Sequence, residues 1–248
     1  MSNGIFASRK LEEGIAAVRR LGFENLEFNM KCVRENDDDS VYPAKDSIVV
    51  NKLNCLTVHA VTLHVEKKEE IVRAKYYGSV SLEFAHKLGA QVMVIHSNVS
   101  RRLPEELRRS FLQEVFREMR SQAGSLGVRI ALENLSYSSN GFGKNVAELE
   151  EVLGIIDADH TVGITFDSCH AEATGQTLEL LEKYKNRIFN IHISNRAHKP
   201  FDKGTPSLKL LVKKLQEYGY DGPLTVELKK MHNRGSTQNK KSHRKNNG

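Results

Sequence analysis

The chain has only three cysteines, Cys32, Cys55 and Cys169, and no two of them are spaced as a CxxC pair. A small, odd, scattered set argues against a disulfide framework or a thiolate metal site, and fits a reduced, cytoplasmic setting. Long apolar runs are also missing. No stretch reaches the roughly 18 residues of a transmembrane helix, so no membrane span is expected. The first residues, Met1-Ser2-Asn3-Gly4-Ile5-Phe6, lack the apolar segment of a signal peptide. Acidic residues are absent from residues 229–248, which carry seven basic ones: Lys229, Lys230, Arg234, Lys240, Lys241, Arg244 and Lys245. Residues 1–228 then hold 30 Lys+Arg against 31 Asp+Glu, a net of −1, although the whole chain stands at +6. The basicity belongs to a polar C-terminal tail, 231–248, read as disordered. A near-neutral body excludes the broad cationic surface that a duplex-binding domain needs.

What remains is an ordinary globular composition, 39% hydrophobic and 27% charged over 248 residues. That length is close to one (β/α)₈ barrel, about 250 residues. Short apolar runs alternate with longer amphipathic stretches, the pattern of βαβ units and a parallel sheet. The runs are Asn25–Phe28, Leu56–His59, Val92–His96, Val128–Glu133, Val162–Asp167, Ile188–Ile193 and Leu224–Glu227, with a weak first one at Gly4–Phe6. Helical periodicity covers Lys10–Leu21, Glu69–Leu88, Glu105–Leu126, Val146–Ile156, Thr177–Lys183 and Ser207–Tyr218, and a further helix is placed within Ala44–Lys52. Gly22, Gly89, Gly127 and Gly219 each follow a helix and precede a strand, where a left-handed cap is needed. The acidic run Glu35–Asp39 reads as an exposed loop. The expected architecture is α/β: one (β/α)₈ TIM barrel over residues 1–230, with a weak first strand, followed by the basic tail.

The strand ends carry the chemistry. Strands three to eight end on or carry His59, His96, Glu133, Asp167, His192 and Glu227, at intervals of 37, 37, 34, 25 and 35 residues, about one βα unit each. A barrel gathers the C-terminal ends of its strands around one mouth, where active sites sit. Crowded carboxylates repel, and one would be driven to protonate; a divalent cation removes the conflict. Glu133, Asp167, His192 and Glu227 offer three hard oxygens and one imidazole, a set that suits Mn²⁺, Zn²⁺, Co²⁺ or Mg²⁺. A lone strand-end Glu or His is usually a loop anchor; six at unit spacing are not. His64 and His86 fall outside the pattern and read as structural or exposed, and Cys169 reads as packing.

These same residues carry a resemblance. Gly127-Val128-Arg129-Ile130-Ala131-Leu132-Glu133-Asn134 resembles the fifth strand of the xylose isomerase-like barrel superfamily. Asp167-Ser168-Cys169-His170-Ala171 resembles its Asp-x-x-His-Ala motif, and Ile191-His192-Ile193-Ser194-Asn195 its seventh-strand His motif, with Asn195 where Asp is usual. Gly219–Glu227 resembles the last helix-to-strand turn and terminal Glu. The resemblance runs from about Lys10 to Lys229.

The superfamily includes sugar and sugar-phosphate isomerases and epimerases, inosose-processing enzymes and endonuclease IV. The resemblance implies metal ligands at Glu133, Asp167, His192 and Glu227, with Glu133 and Glu227 as the catalytic base and acid. Proton transfer would pass through a metal-stabilised enediolate of a sugar or sugar phosphate. His59, His96, His170, Arg196 and His198 are then substrate-binding candidates, with Lys199 and Lys203 as further phosphate contacts. The alternative is an endonuclease IV-like phosphodiesterase acting on abasic DNA, whose three-zinc cluster would match added ligands at His59, His96, His170 and His198. Two departures weigh against it: Arg196 stands where the nuclease has Asp, and Ala60-Val61 follow His59 in place of Pro-Tyr. A third reading is a barrel that keeps a metal without catalysis. The implied partners are a small sugar or sugar phosphate, no membrane, and no nucleic acid beyond weak binding by the tail; a homo-oligomer is compatible.

Overall fold

Strands that are buried on both faces need apolar residues facing the helices and tolerate something else facing the barrel axis. The computed structural model describes residues 1–33, 40–62, 64–97, 99–157, 159–202 and 206–229, and shows this division throughout. The described residues form seven parallel strands in sequence order: β1 Asn25–Asn29, β2 Asn54–His59, β3 Val92–Ile95, β4 Arg129–Glu133, β5 Gly163–Asp167, β6 Ile188–Ile193 and β7 Leu224–Val226. Between and around them lie helices α1 Leu11–Arg20, α2 Val41–Val50, α3 Glu70–Lys87, α4 Glu105–Leu126, α5 Val146–Ile156, α6 Ser168–Thr174, α7 Thr177–Tyr184 and α8 Pro206–Glu217. None is long and apolar enough to cross a membrane.

One residue parity builds the core and the other builds the site. Leu26, Phe28, Val58, Met93, Ile95, Ile130, Leu132, Ile164, Phe166 and Ile191 pack into the hydrophobic cluster beneath the helices. The intervening residues belong to the barrel interior. Adjacent-strand pairs such as Asn29–His59, Glu133–Thr165, Asp167–His192 and His192–Thr225 keep that parity around the sheet. The left-handed caps fall where expected, with φ of +89° at Gly22, +75° at Gly89, +67° at Gly127 and +66° at Gly219.

The first strand is corrected. Residues expected to begin the barrel at Gly4–Phe6 lie within a 3-10 helix, Asn3–Phe6. Closure falls instead to Met1 and Ser2. The Ser2 amide donates to the Val226 carbonyl at 3.0 Å, and the Glu27 amide donates to the Met1 carbonyl at 3.0 Å. A parallel bridge pairs Ser2 with Glu27. Two residues thus span the gap between β7 and β1, and the near-closed ring is a TIM barrel. The helix placed within Ala44–Lys52 is α2, beginning at Val41, and α6 is a short helix that periodicity did not reveal. The acidic run, Lys203 and the tail lie outside the described residues.

Opposite the mouth, a buried carboxylate ties strands and helices together. Asp157 caps α5, is buried, and accepts from the Thr161 amide at 2.7 Å and from Arg187 Nη2 at 2.5 Å. Arg120 of α4 donates to the Ile156 carbonyl at 2.7 Å and sits 3.6 Å from Asp157. Removing one partner of such a buried pair strands the other charges. Asp157→Ala should therefore destabilise the fold by on the order of 3 kcal/mol, seen as a lower urea midpoint. An unshifted midpoint would show that the two arginines hold nothing together.

Candidate metal centre and cavity

The end of each strand delivers one side chain to a common volume. Glu133, the last residue of β4, lies at its centre. Its Oε2 is 3.2 Å from His59 Nε2 and 3.0 Å from His96 Nε2. Its Oε1 is 3.4 Å from His170 Nδ1 and 3.5 Å from His192 Nδ1. His192 Nδ1 also faces Asp167 Oδ2 at 3.8 Å and Glu227 Oε2 at 3.4 Å. His198 Nδ1 stands 3.5 Å from Glu227 Oε2, and its Nε2 meets His170 Nε2 at 3.0 Å. All six strand-end residues read from the sequence, with His170 and His198, therefore share one cluster.

Local chain geometry holds these groups in place. Asp167 also caps α6, accepting from the His170 amide at 2.7 Å, so the short helix swings His170 back over the strand end. Asn134 links the ends of β4 and β5: its side chain accepts from the Asp167 amide at 2.7 Å and donates to the Asp167 carbonyl at 3.1 Å. His198 is reached by a strained turn, in which Ala197 and His198 hold φ of +57° and +54°. Left-handed backbone costs a non-glycine residue about 1–2 kcal/mol. It is held here by hydrogen bonds from the Asn195 amide to the Lys199 carbonyl and from the Lys229 amide to the His198 carbonyl, both 3.0 Å. Strain of this kind gathers at functional sites.

The cluster divides into three overlapping groups of ligand atoms: Glu133, Asp167, His192 and Glu227; His59, His96 and Glu133; and Asp167, His170 and His198. In a tetrahedral metal site, neighbouring ligand atoms stand about 3.3 Å apart, given bonds of about 2.0–2.1 Å. The imidazole–carboxylate separations here run from 3.0 to 3.8 Å, and the ligand atoms of each group lie within 4.8 Å of one another, near enough to close on one ion. Two buried atoms in the first group, Asp167 Oδ2 and His192 Nδ1, have no hydrogen-bond partner. Orphaned donors and acceptors facing one another among carboxylates are what a bound cation satisfies. The residues fit a divalent ion, and they are all hard oxygens and imidazoles.

The electrostatics agree. Burial, with Glu133 and Glu227 next to it, pushes the Asp167 carboxyl up to about 7. Burial also opposes charge on Glu133 and Glu227, but the imidazoles around them, His192 foremost among the shared ones, hold both below the usual carboxylate range. Burial would lower His192, yet Glu27, Glu133 and Glu227 together lift it well above an ordinary imidazole. His170 and His198, where burial prevails, are lowered.

Above the cluster opens a cavity of about 380 Å³. His59, His96, Glu133, His170, His198 and Glu227 form part of its wall, and Asn29, Lys31, Ser136, Ser139 and Lys229 are among the other residues that line it. Arg196 is not part of that wall; its exposed guanidinium pairs with Glu172 at 3.0 Å. A larger hollow of about 830 Å³ lies at the other end of the strands, between α4 and α5, and holds none of the cluster. The chemistry belongs to the smaller one. The residue that sequence reasoning missed altogether is Glu27, buried on β1, whose Oε2 is 2.9 Å from His192 Nε2. Its signal was a lone acid flanked by Leu26 and Phe28, on the same parity as the strand-end groups.

Asp167 gives the site a pH signature. Its ordinary value is 3.8 and its folded value about 7. Between these, the metal-free folded chain keeps a proton that the unfolded chain has released, so this group withdraws stability as pH rises across that window. Asp167→Asn removes the conflict. Metal-free Asp167→Asn should match the parent near pH 4 and exceed it at pH 8, by on the order of a few kcal/mol in denaturant unfolding. Added Zn²⁺ or Mn²⁺ should stabilise the parent strongly and the variant little. A variant less stable than the parent at pH 8 without metal would show that the carboxylates are not in conflict.

An uncharacterized protein, MJ1311, of Methanocaldococcus jannaschii is 29% identical over 164 residues, covering 60% of this chain and 54% of its own. A probable endonuclease 4 of Halothermothrix orenii is 25% identical over 153 residues, covering 59% and 53%. The chain thus spans about half the length of these curated relatives. Among solved structures, the 3-keto-D-glucoside 4-epimerase YcjR of E. coli superposes with a TM-score of 0.78 at 17% identity, over 94% of this chain and 92% of that one, a likeness of fold. The family of xylose isomerase-like TIM barrels matches residues 15–246, and the chain belongs to it.

Proposed function

We propose that this chain is a metal-dependent isomerase or epimerase of a sugar or sugar phosphate. The observation that carries the reading is the placement of two carboxylates about one point. Glu133 and Glu227 approach the same ring nitrogen, His192 Nδ1, at 3.5 Å and 3.4 Å, and both reach the cavity wall. A substrate carbon held there would have a carboxylate to take its proton and a second to return one, at that carbon or its neighbour. A divalent ion held by Glu133, Asp167, His192 and Glu227 supplies Lewis acidity toward a carbonyl and an adjacent hydroxyl. His170 and His198 supply imidazoles for orienting hydroxyl groups, and His59 and His96 hold Glu133 ionised. The cavity is at the small end of ligand sites, matched to one sugar rather than a polymer.

A second reading has its own observation. The groups at His59, His96 and Glu133 and at Asp167, His170 and His198 exceed what one ion needs. Together with relatives named endonuclease 4, they favour a multi-metal phosphodiesterase acting on abasic DNA. Against it stands charge. Lys31 and Lys229 are the only Lys or Arg residues in the cavity wall among the described residues, and residues 1–228 carry a net of −1. Phosphate-backbone binding needs many more.

Chelation should abolish turnover and Mn²⁺, Co²⁺ or Zn²⁺ should restore it; full activity in protein shown metal-free by mass spectrometry would refute the metal's role. Glu133→Gln and Glu227→Gln should each lower kcat by about 10² or more, with metal content measured alongside; normal turnover in both would remove them as proton carriers. The two readings separate in one comparison, using full-length protein and a chain ending at Lys230 on a panel of ketoses and their phosphates and on an abasic-site duplex. Ketose turnover should survive truncation, while DNA binding should be weak, steeply salt-sensitive and lost with the tail. Incision by the shortened chain, with no ketose turned over, would assign the nuclease instead.

A further inference from the structure

The imidazoles of the cluster are not held alike. His59 Nδ1 contacts the Ala60 carbonyl at 3.1 Å, and His170 Nδ1 contacts the Asn134 carbonyl at 2.8 Å. A carbonyl only accepts, so Nδ1 carries the proton in both rings, leaving Nε2 of His59 to face Glu133 Oε2 at 3.2 Å and Nε2 of His170 to face His198 Nε2 at 3.0 Å. His192 is reversed. Its Nδ1 faces Glu133, Asp167 and Glu227 without a hydrogen-bond partner, and its Nε2 faces Glu27 Oε2 at 2.9 Å.

Glu27 is built for that contact. It is buried in the barrel interior, on the far side of the His192 ring from the three carboxylates. The same Oε2 accepts from Thr57 Oγ1 at 2.9 Å and from Asn190 Nδ2 at 3.4 Å. Asn190 is fixed in turn by Thr225 Oγ1, which donates to its Oδ1 at 3.1 Å. Four strands, β1, β2, β6 and β7, thus contribute to one polar layer beneath the metal centre. The ring is confined from the side as well: His59 stacks on His192 with centroids 5.8 Å apart and planes 15° apart. Glu27 forms no part of the three ligand groups, and its hydrogen-bonding oxygen is already taken.

We infer that Glu27 is a positioning residue: by accepting the Nε2 proton of His192 it fixes the ring's tautomer and direction, so that Nδ1 is the nitrogen presented to a divalent ion. A carboxylate behind a metal-ligating histidine also raises the basicity of the ligand, and loss of such a partner typically costs 10–100-fold in metal affinity. The inference rests on the metal centre and not on which reaction the chain performs.

The test is metal binding and its spectroscopy. In ¹⁵N-labelled parent protein loaded with ¹¹³Cd²⁺, the His192 signals, assigned by their loss in His192→Ala, should show cadmium coupling at Nδ1 and a retained proton at Nε2. Competition with a chromophoric chelator should give Glu27→Met an affinity for Cd²⁺ and Zn²⁺ lower by about 10–100-fold. Glu27→Gln keeps an acceptor oxygen and should recover part of the loss, while Thr57→Val should lose less than Glu27→Met. Coupling through Nε2 in the parent would overturn the proposal without any variant, so a misfolded Glu27→Met leaves it decidable. So would Glu27→Met binding within twofold of the parent. A parent that takes up no divalent ion would remove the metal centre itself, and the positioning role with it.

Discussion

Three carboxylates held within a few ångströms of one another, out of water, set the terms for everything around them. Glu133, Asp167 and Glu227 are brought together by strand ends that cannot move apart without opening the barrel. Their repulsion must be met by positive charge. Without a metal, that charge comes from His192 and its neighbours, and one carboxyl, Asp167, keeps a proton. The same groups are of the kinds that a divalent ion takes as ligands. The fold thus holds an electrostatic conflict at the barrel mouth, of the kind that a bound cation would resolve.

The barrel tolerates this because its two residue parities are independent. Residues facing the helices supply the hydrophobic stabilisation, and those facing the axis are free to carry function. At the N-terminal end of the strands the Asp157, Arg120 and Arg187 network holds the ring without touching the chemistry. At the other end, loops and the short α6 deliver His170 and His198 over the strand termini. Between the two, Glu27, Thr57, Asn190 and Thr225 form a polar layer that supports the ligands from below. Ligand, support and anchor are thus stacked along one axis.

Sequence patterns are silent where an element is short or depends on other strands. A two-residue stave, Met1–Ser2, has no periodicity to detect, and Gly4–Phe6 was the nearest apolar run. Helix α6 is too brief to show an amphipathic pattern. The left-handed turn at Ala197 and His198 sends the imidazole of His198 inward and leaves the Arg196 guanidinium on Glu172, an arrangement that sequence proximity does not encode. Glu27 is one acid in a strand, and it carries no signal until its partner, His192, is placed across the barrel.

By itself, the sequence determined the fold class and the ring of strand-end acids and histidines. Both follow from local regularities: apolar runs alternating with amphipathic ones, glycines at helix ends, and an acid or histidine at each of six strand ends. Repetition along the chain translates into adjacency around the mouth through the barrel's own symmetry. The tertiary structure alone decided which nitrogen each imidazole presents, which carboxyl keeps a proton, how the ring closes and where the cavity lies. Those depend on contacts between residues as far apart as Glu27 and His192, whose distance and orientation no local pattern encodes.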